Sequence, residues 1–315
     1  MNIEATTSLP LVSVIIPSYN RADYLKIAID SVLAQKYKNF ELLILDNHST
    51  DHTQEIISSY SDSRIKSLRH LTNIGGIANW LYGIHWASGE FFSVLGDDDF
   101  YRHDFLESRV RTFASFPDVV AVFSDHEICD DAGLISRGLN TETKIDGHKL
   151  AENALIDVIH EGRWQVGSTL FKRHPVVEIW DECIRAGKAF DVAVQIQISL
   201  LHSAIWIPGG GVVWRQHTQQ DSRIGGRGVL VGYINAFEEP LIFHDFPRSR
   251  KELKQGAEWA YDILARDSLA NGKYRVGKKL FWKLILLSPL NFRRWARLAF
   301  CYFPSLFLEI KSILK

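Results

Sequence analysis

With 315 residues, 46% of them apolar, and 36 basic against 37 acidic side chains, the chain has length for two domains or one enlarged one and ample material for a core. Three widely spaced thiols, Cys129, Cys183 and Cys301, argue against a disulfide framework or a cysteine-ligated metal and suit a reducing compartment. Met1–Ala5 lacks the basic start and apolar core of a signal peptide, and no apolar run reaches the ~20 residues that span a bilayer, so a cytoplasmic protein is expected.

The first predicted strand, Leu11–Ile16, is a short β-branched run closed by Pro17, Ser18, Tyr19, Asn20 and Arg21. A helix follows over Ala22–Gln35, then a second strand, Phe40–Leu45, closed by Asp46-Asn47-His48-Ser49-Thr50-Asp51. Helices near His52–Tyr60 and Ile77–Ala87, the latter after the turn signal Asn73-Ile74-Gly75-Gly76, lead to a third strand, Phe91–Leu95. That strand empties into Gly96-Asp97-Asp98-Asp99. Alternation of this kind predicts an α/β fold with a mostly parallel sheet, and right-handed crossovers bring the three exits to one edge. Ligands bind at that edge in open sheets. Three adjacent carboxylates repel one another, and a hard divalent cation relieves the repulsion. An acidic surface turn is the alternative on spacing alone.

Further along, Trp164–Ser168 precedes a short strand, Thr169–Phe171, and Gly187–Ala193 contains Asp191. Val192, Val194, Ile196 and Ile198 alternate, which by itself favours a strand. A Pro208–Gly211 turn leads to Val213-Trp214-Arg215-Gln216-His217. Soft boundaries divide the chain into 1–115, 116–228 and 229–315, the last expected to be helical over 230–246 and 248–270. Residues 273–315 hold ten basic side chains against Glu309 alone, a net of plus nine that leaves minus ten for the rest. Trp, Phe and Leu lie among these charges, a pattern that fits either peripheral membrane contact or a helical bundle with an exposed basic side. No nucleic-acid-binding motif accompanies the charge.

In order and spacing, Val14–Arg21, Leu45–Asp51, Asn73–Gly76, Ala87–Glu90 and Gly96–Asp99 resemble the nucleotide-sugar-binding half of the family 2 glycosyltransferases, which have the GT-A fold. The resemblance implies a nucleotide-sugar half at 1–115, an acceptor half at 116–228 and a C-terminal helical extension. It also implies that Pro17, Tyr19, Asn20 and Arg21 receive the nucleoside, with Tyr19 against the base and Asp46 accepting a hydrogen bond from it. Asn73 and Gly75 would lie close to the donor. Asp97 and Asp98 would face the ribose and a diphosphate-bound Mg²⁺ or Mn²⁺, Asp98 as the direct ligand. Many members carry a further Asp where this chain has Gly96. Asp191 matches the family's downstream general base, in a helix that it caps. Arg215 would hold a phosphate and His217 approach the metal, whereas Trp164 and Ser168 would lie on the acceptor side.

The function implied is metal-dependent, inverting sugar transfer from a nucleotide diphosphate donor to a glycan or lipid-linked glycan, as in O-antigen or capsule assembly. Plainer roles stand beside each residue: packing for Tyr19 and Trp164, a surface position for His217, helix capping for Asp191. For Asp51, capping is preferred to catalysis. A catalytically silent relative is the alternative that Gly96 and Phe190 keep open. Sugar-phosphate nucleotidyl transfer would want a Gly-rich basic loop after the first strand, where Pro17-Ser18-Tyr19-Asn20 stands instead.

Overall fold

The structure, a computed structural model, describes residues 9–137, 164–218, 231–238 and 250–302. The boundary at Gly225–Gly228, the second half of the expected 230–246 helix and residues 303–315 lie outside them. Contacts divide the chain into two compact units, residues 1–184 with 194–220, and residues 185–193 with 221–315.

The first unit is built on a nine-stranded mixed sheet. In chain order it contains β1 (Val12–Ser18), α1 (Ala22–Leu33), β2 (Phe40–Asp46), α2 (Thr53–Ser58), β3 (Ile65–Arg69), α3 (Gly76–Trp86) and β4 (Phe91–Val94). Then come β5 (Phe100–Tyr101), α4 (Phe105–Ser115), β6 (Ala121–Cys129), β7 (Ile135–Arg137), β8 (Thr169–Lys172), α5 (Arg173–Cys183), α6 (Phe190–Leu201, whose first four residues are assigned to the second unit) and β9 (Ala204–Arg215). The order across the sheet is β3-β2-β1-β4-β8-β6-β9-β5, with β7 on β6. This is the GT-A arrangement, and the two expected halves share the one sheet. β1 and β2 are buried along their whole length, because helices cover both faces of a parallel sheet and select continuous apolar runs. β3 escaped the sequence reading because it is an edge strand with three exposed residues and little apolar signal.

Strand register positions the site. Ser18 pairs with Asp46, and Asp46 with Arg69, so β1, β2 and β3 end side by side. β4 runs parallel to β1 and carries the acidic turn to the same edge. β5, just past that turn, pairs antiparallel with β9 through Phe100 and Val213. That pairing draws Arg215 and His217 to the carboxylates from more than a hundred residues away.

The opposite edge is fastened by a buried carboxylate. Glu41 accepts hydrogen bonds from Ser13 Oγ (2.6 Å), Ser88 N (2.8 Å), Ser88 Oγ (2.7 Å) and Lys66 Nζ (2.7 Å). Ser13 Oγ also accepts from Gly89 N, and a Cβ at Gly89 would lie 2.7 Å from three backbone atoms. The Ala87–Glu90 motif therefore closes the fold at the far end from the ligand edge. Burial works against the Glu41 charge, but these bonds outweigh it and hold the carboxyl at about 2. A carboxyl depressed from 4.5 stabilises the fold above its unfolded value and loses that contribution as pH falls through about 2. Glu41→Gln should cost about 2 kcal/mol in urea unfolding near neutral pH, and the gap from wild type should narrow steadily as the medium is acidified. A gap independent of pH would show that the charge contributes nothing.

The second unit contains a helical segment over 231–238 together with α7 (Arg250–Ala270), α8 (Tyr274–Leu287) and α9 (Phe292–Tyr302). Tyr261, Leu264, Phe281, Leu284, Ile285 and Leu298 form its core. Arg294 pairs with Glu258 at 3.0 Å and Arg297 with Asp262 at 2.8 Å, so part of the basic C-terminal charge fastens α9 to α7. Residues 274–287 and 292–302 are therefore helical and share the core of this unit. Among the described residues no helix is long and apolar enough to cross a membrane.

Candidate active site

Each exit loop at the ligand edge is stitched to its neighbour. Asn20 adopts φ 53°, a left-handed conformation that Asn tolerates better than most residues. Its N–H donates to Ser49 Oγ (2.9 Å), and its Oδ1 accepts from Thr50 N (2.7 Å). Asn47 accepts from Ile74 N (2.8 Å) and donates to Asn73 Oδ1 (3.0 Å), which also accepts from Gly75 N (2.8 Å). Gly75, at φ 88°, then begins α3. Asp51 accepts from Ala22 N, Thr53 N and Thr53 Oγ1, and so fastens the starts of α1 and α2 as a cap does.

The acidic turn lies against the first loop. Tyr19 N donates to Asp97 Oδ2 (3.2 Å), and the Tyr19 ring remains 45% exposed rather than packed. Arg21 supplies a positive charge beside Asp97. Gly96 leaves room for its neighbours: a Cβ there would lie 2.9 Å from Asp98 Oδ1 and 3.0 Å from Asp99 Oδ2. The two carboxylates fold back over the bare Cα. Burial, then the Asp98 charge, pushes Asp97 up to about 8 and Asp99 well above the ordinary range.

Asp98 Oδ2 meets His217 Nε2 at 2.8 Å. Among the described residues no three His, Cys, Asp or Glu side chains are arranged as a metal cage. Mg²⁺ ordinarily takes one or two protein carboxylates and fills its shell with water and phosphate, and manganese also accepts imidazole. Asp98 and His217 therefore fit a cation that arrives with a diphosphate.

Several of the expected site residues make bonds within the protein. Arg215 has its guanidinium engaged within the protein. Its Nε donates to Asp98 O (3.0 Å), its Nη1 to Asp131 O (2.6 Å), and its backbone N to Asp99 Oδ1 (2.9 Å). The guanidinium is buried and lies over the rings of Tyr24 (5.2 Å) and Phe100 (5.7 Å), because a buried cation has to direct its donors to carbonyls. Asp46 is fully buried, with Oδ1 accepting from Ser49 N (2.8 Å) and Oδ2 facing Gln54 Nε2 (2.6 Å) and Arg69 Nε (3.5 Å). Its carboxylate organises the second loop and turns no open face to a base. Pro17 is a buried residue of β1, paired with Leu45, since the strand runs on to Ser18.

Trp164 and Ser168 are buried. The Trp164 ring stacks on Phe123 at 4.3 Å and its Nε1 donates to Thr169 Oγ1 (2.8 Å). Ser168 is fully buried, and its carbonyl accepts from Arg109 Nε (3.1 Å) and Nη2 (2.9 Å).

Two residues went unnoticed in the sequence. The Tyr24 ring lies 5.0 Å from the His217 ring and beneath Arg215, and its hydroxyl donates to Asp131. Only proximity in the fold reveals that role, since Asp131 is 107 residues away. Asn47, by contrast, stands within a motif that was recognised.

Asp191 belongs to the second unit, in the first turn of α6. Burial raises its carboxyl, while the Val192 N–H pulls the other way. Tyr233 is pushed up to about 12, first by burial and then by the Asp191 charge.

Residues 13–163 match glycosyl transferase family 2. In Escherichia coli, WfgD, a UDP-Glc:alpha-D-GlcNAc-diphosphoundecaprenol beta-1,3-glucosyltransferase, is 32% identical over 143 residues, 45% of this chain and 56% of that one. The structure of S. aureus TarS 1–349 in complex with UDP-GlcNAc aligns with a TM-score of 0.69 at 15% identity, covering 92% of this chain and 87% of that one. The mannosyltransferase PcManGT from Pyrobaculum calidifontis, in complex with GDP-Man and Mn²⁺, gives 0.57 at 19% identity, covering 95% and 88%. The chain spans little more than half the length of several curated relatives, 59% for a Rickettsia typhi protein at 31% identity.

Proposed function

We propose that this chain, whose residues 13–163 match glycosyl transferase family 2, transfers a sugar from a nucleotide diphosphate to a glycan or lipid-linked glycan, with inversion. The observation that carries this reading is the meeting of Asp98 with His217 at 2.8 Å, on the edge where the exposed Tyr19 donates its backbone N–H to Asp97. Tyr19 receives the base and Asp97 faces the ribose, while Asn20, Asn47, Asn73 and Gly75 hold the loops around them. Arg21 places a positive charge beside the donor. Asp98 and His217 would hold Mg²⁺ or Mn²⁺, which when bound would supply stabilisation of the charge on the departing diphosphate. Arg215 and Tyr24 act as positioning residues, fixing the acidic turn and the His217 ring. Asp191 accepts the acceptor hydroxyl proton as general base.

WfgD's diphosphoundecaprenol-linked substrate supports a lipid-linked acceptor, and so an O-antigen or capsule pathway. The same reading places the chain in the cytoplasm, in peripheral contact with the inner face of the membrane through residues 273–315. The test is a thermal-shift series of nucleoside diphosphates with and without Mn²⁺. The matching nucleotide at ~100 times its Kd should add about 2.7 kcal/mol of stability, and only with metal present. No response to any nucleotide would overturn the donor assignment, and an equal response without metal would overturn the cation.

A further inference from the structure

The second unit carries a surface that sugar transfer does not use. Residues 273–302 hold eight basic side chains and no acidic one. Arg294 and Arg297 turn to Glu258 and Asp262, but Arg275, Lys279 and Arg293 are exposed. Arg275 and Lys279 share the outward face of α8 with Trp282 and Leu286, on the side opposite Phe281, Leu284 and Ile285. At the corner between α8 and α9, Leu286, Leu290 and Phe292 are 77%, 85% and 82% exposed. Behind them Trp282 meets Trp295 edge to face at 5.8 Å and donates to Tyr302 Oη at 3.3 Å, while Lys278 sits 3.8 Å over the Tyr302 ring.

Folding gains nothing from leaving three large apolar side chains together at one corner, and clustered exposure of this kind marks a contact surface. The charge decides the occupant. A second copy would bring the same cations face to face. Apolar side chains at a tip, tryptophans behind them and cations along the rim match the layers of an anionic bilayer surface, from acyl boundary to headgroup. We propose that the outward face of α8 and the α8–α9 corner dock on anionic lipid, with Leu290 and Phe292 entering the acyl boundary and Arg275, Lys279 and Arg293 among the headgroups. This assigns residues to the peripheral contact in the reading above, yet it stands or falls apart from sugar transfer.

Cosedimentation of the full chain with phosphatidylcholine vesicles, with and without phosphatidylglycerol, tests it. Binding is expected only with phosphatidylglycerol and should weaken as salt rises, since the attraction of basic residues to an anionic surface is screened within roughly 10 Å. Leu290→Asp with Phe292→Asp, and separately Lys279→Glu with Arg293→Glu, should each lower binding at least ~10-fold. Both pairs should melt and respond to nucleotide as the wild type does. An intact chain that ignores phosphatidylglycerol vesicles overturns the proposal, as do variants that bind like wild type. Concentration-dependent self-association abolished by Leu290→Asp, without vesicle binding, would assign the face to a second copy instead. Vesicle binding without any response to nucleotide would overturn the transfer reading and leave this surface standing.

Discussion

Asp98→Asn is expected to lower sugar transfer by at least about 10³-fold and to abolish the Mn²⁺ dependence of nucleotide binding. Metal stabilisation of a leaving diphosphate amounts to several kcal/mol, and each 1.36 kcal/mol is roughly tenfold in rate. The substitution keeps volume and leaves the local clamp in place, because Arg215 Nε bonds the Asp98 carbonyl and not its side chain. The amide oxygen can still face His217, so the melting temperature should hardly move. What disappears is the negative charge that binds the cation. A Mn²⁺ titration of transfer, read beside thermal shifts with nucleoside diphosphate, checks both parts. Unchanged Mn²⁺ dependence would remove Asp98 from the metal site.

Asp191→Asn should leave nucleotide affinity near wild type and lower transfer at least ~10²-fold, the low end for losing a general base. An amide still accepts the Val192 N–H, so any capping of α6 survives and stability changes little. It cannot take a proton. Because burial raises the Asp191 carboxyl, wild-type transfer should fall on the acid side of its pH profile at a pH above the ordinary aspartate range. The residual activity of the variant should lack that limb. Transfer at near wild-type rate with an unchanged profile would reduce Asp191 to a helix cap.

The parallel core was legible because strands buried on both faces write continuous apolar runs, as in Val12–Ile16 and Phe40–Leu45. The acidic edge was legible for the same reason, each run ending in polar residues. α6 was not legible from its pattern. Phe190, Val194, Gln195, Ile196, Gln197 and Ile198 are all buried, so the helix has no wet face to set a 3.6-residue period, and the alternation of its valines and isoleucines carries no meaning. The internal bonds of Arg215 and Asp46 were not legible, on a different ground. Residue type shows what a side chain can bind, whereas the bonds it makes depend on carbonyls and guanidiniums supplied by distant segments. Trp164 follows suit: its partner Phe123 is forty-one residues upstream, and nothing in the local sequence separates a stacked core ring from a sugar platform.

The stitches among the exit loops bear on the thermodynamics of recognition. Fixing one residue's backbone costs roughly 1–2 kcal/mol of conformational entropy. In this chain the bonds from Asn20 to Ser49 and Thr50, and from Asn47 to Asn73 and Ile74, hold that backbone in place before any ligand arrives. Folding has already borne the ordering cost, and the donor's contacts convert into affinity with little deducted for restraining loops. Loosening Asn47 would therefore show as a less favourable binding entropy for a nucleotide that never touches it.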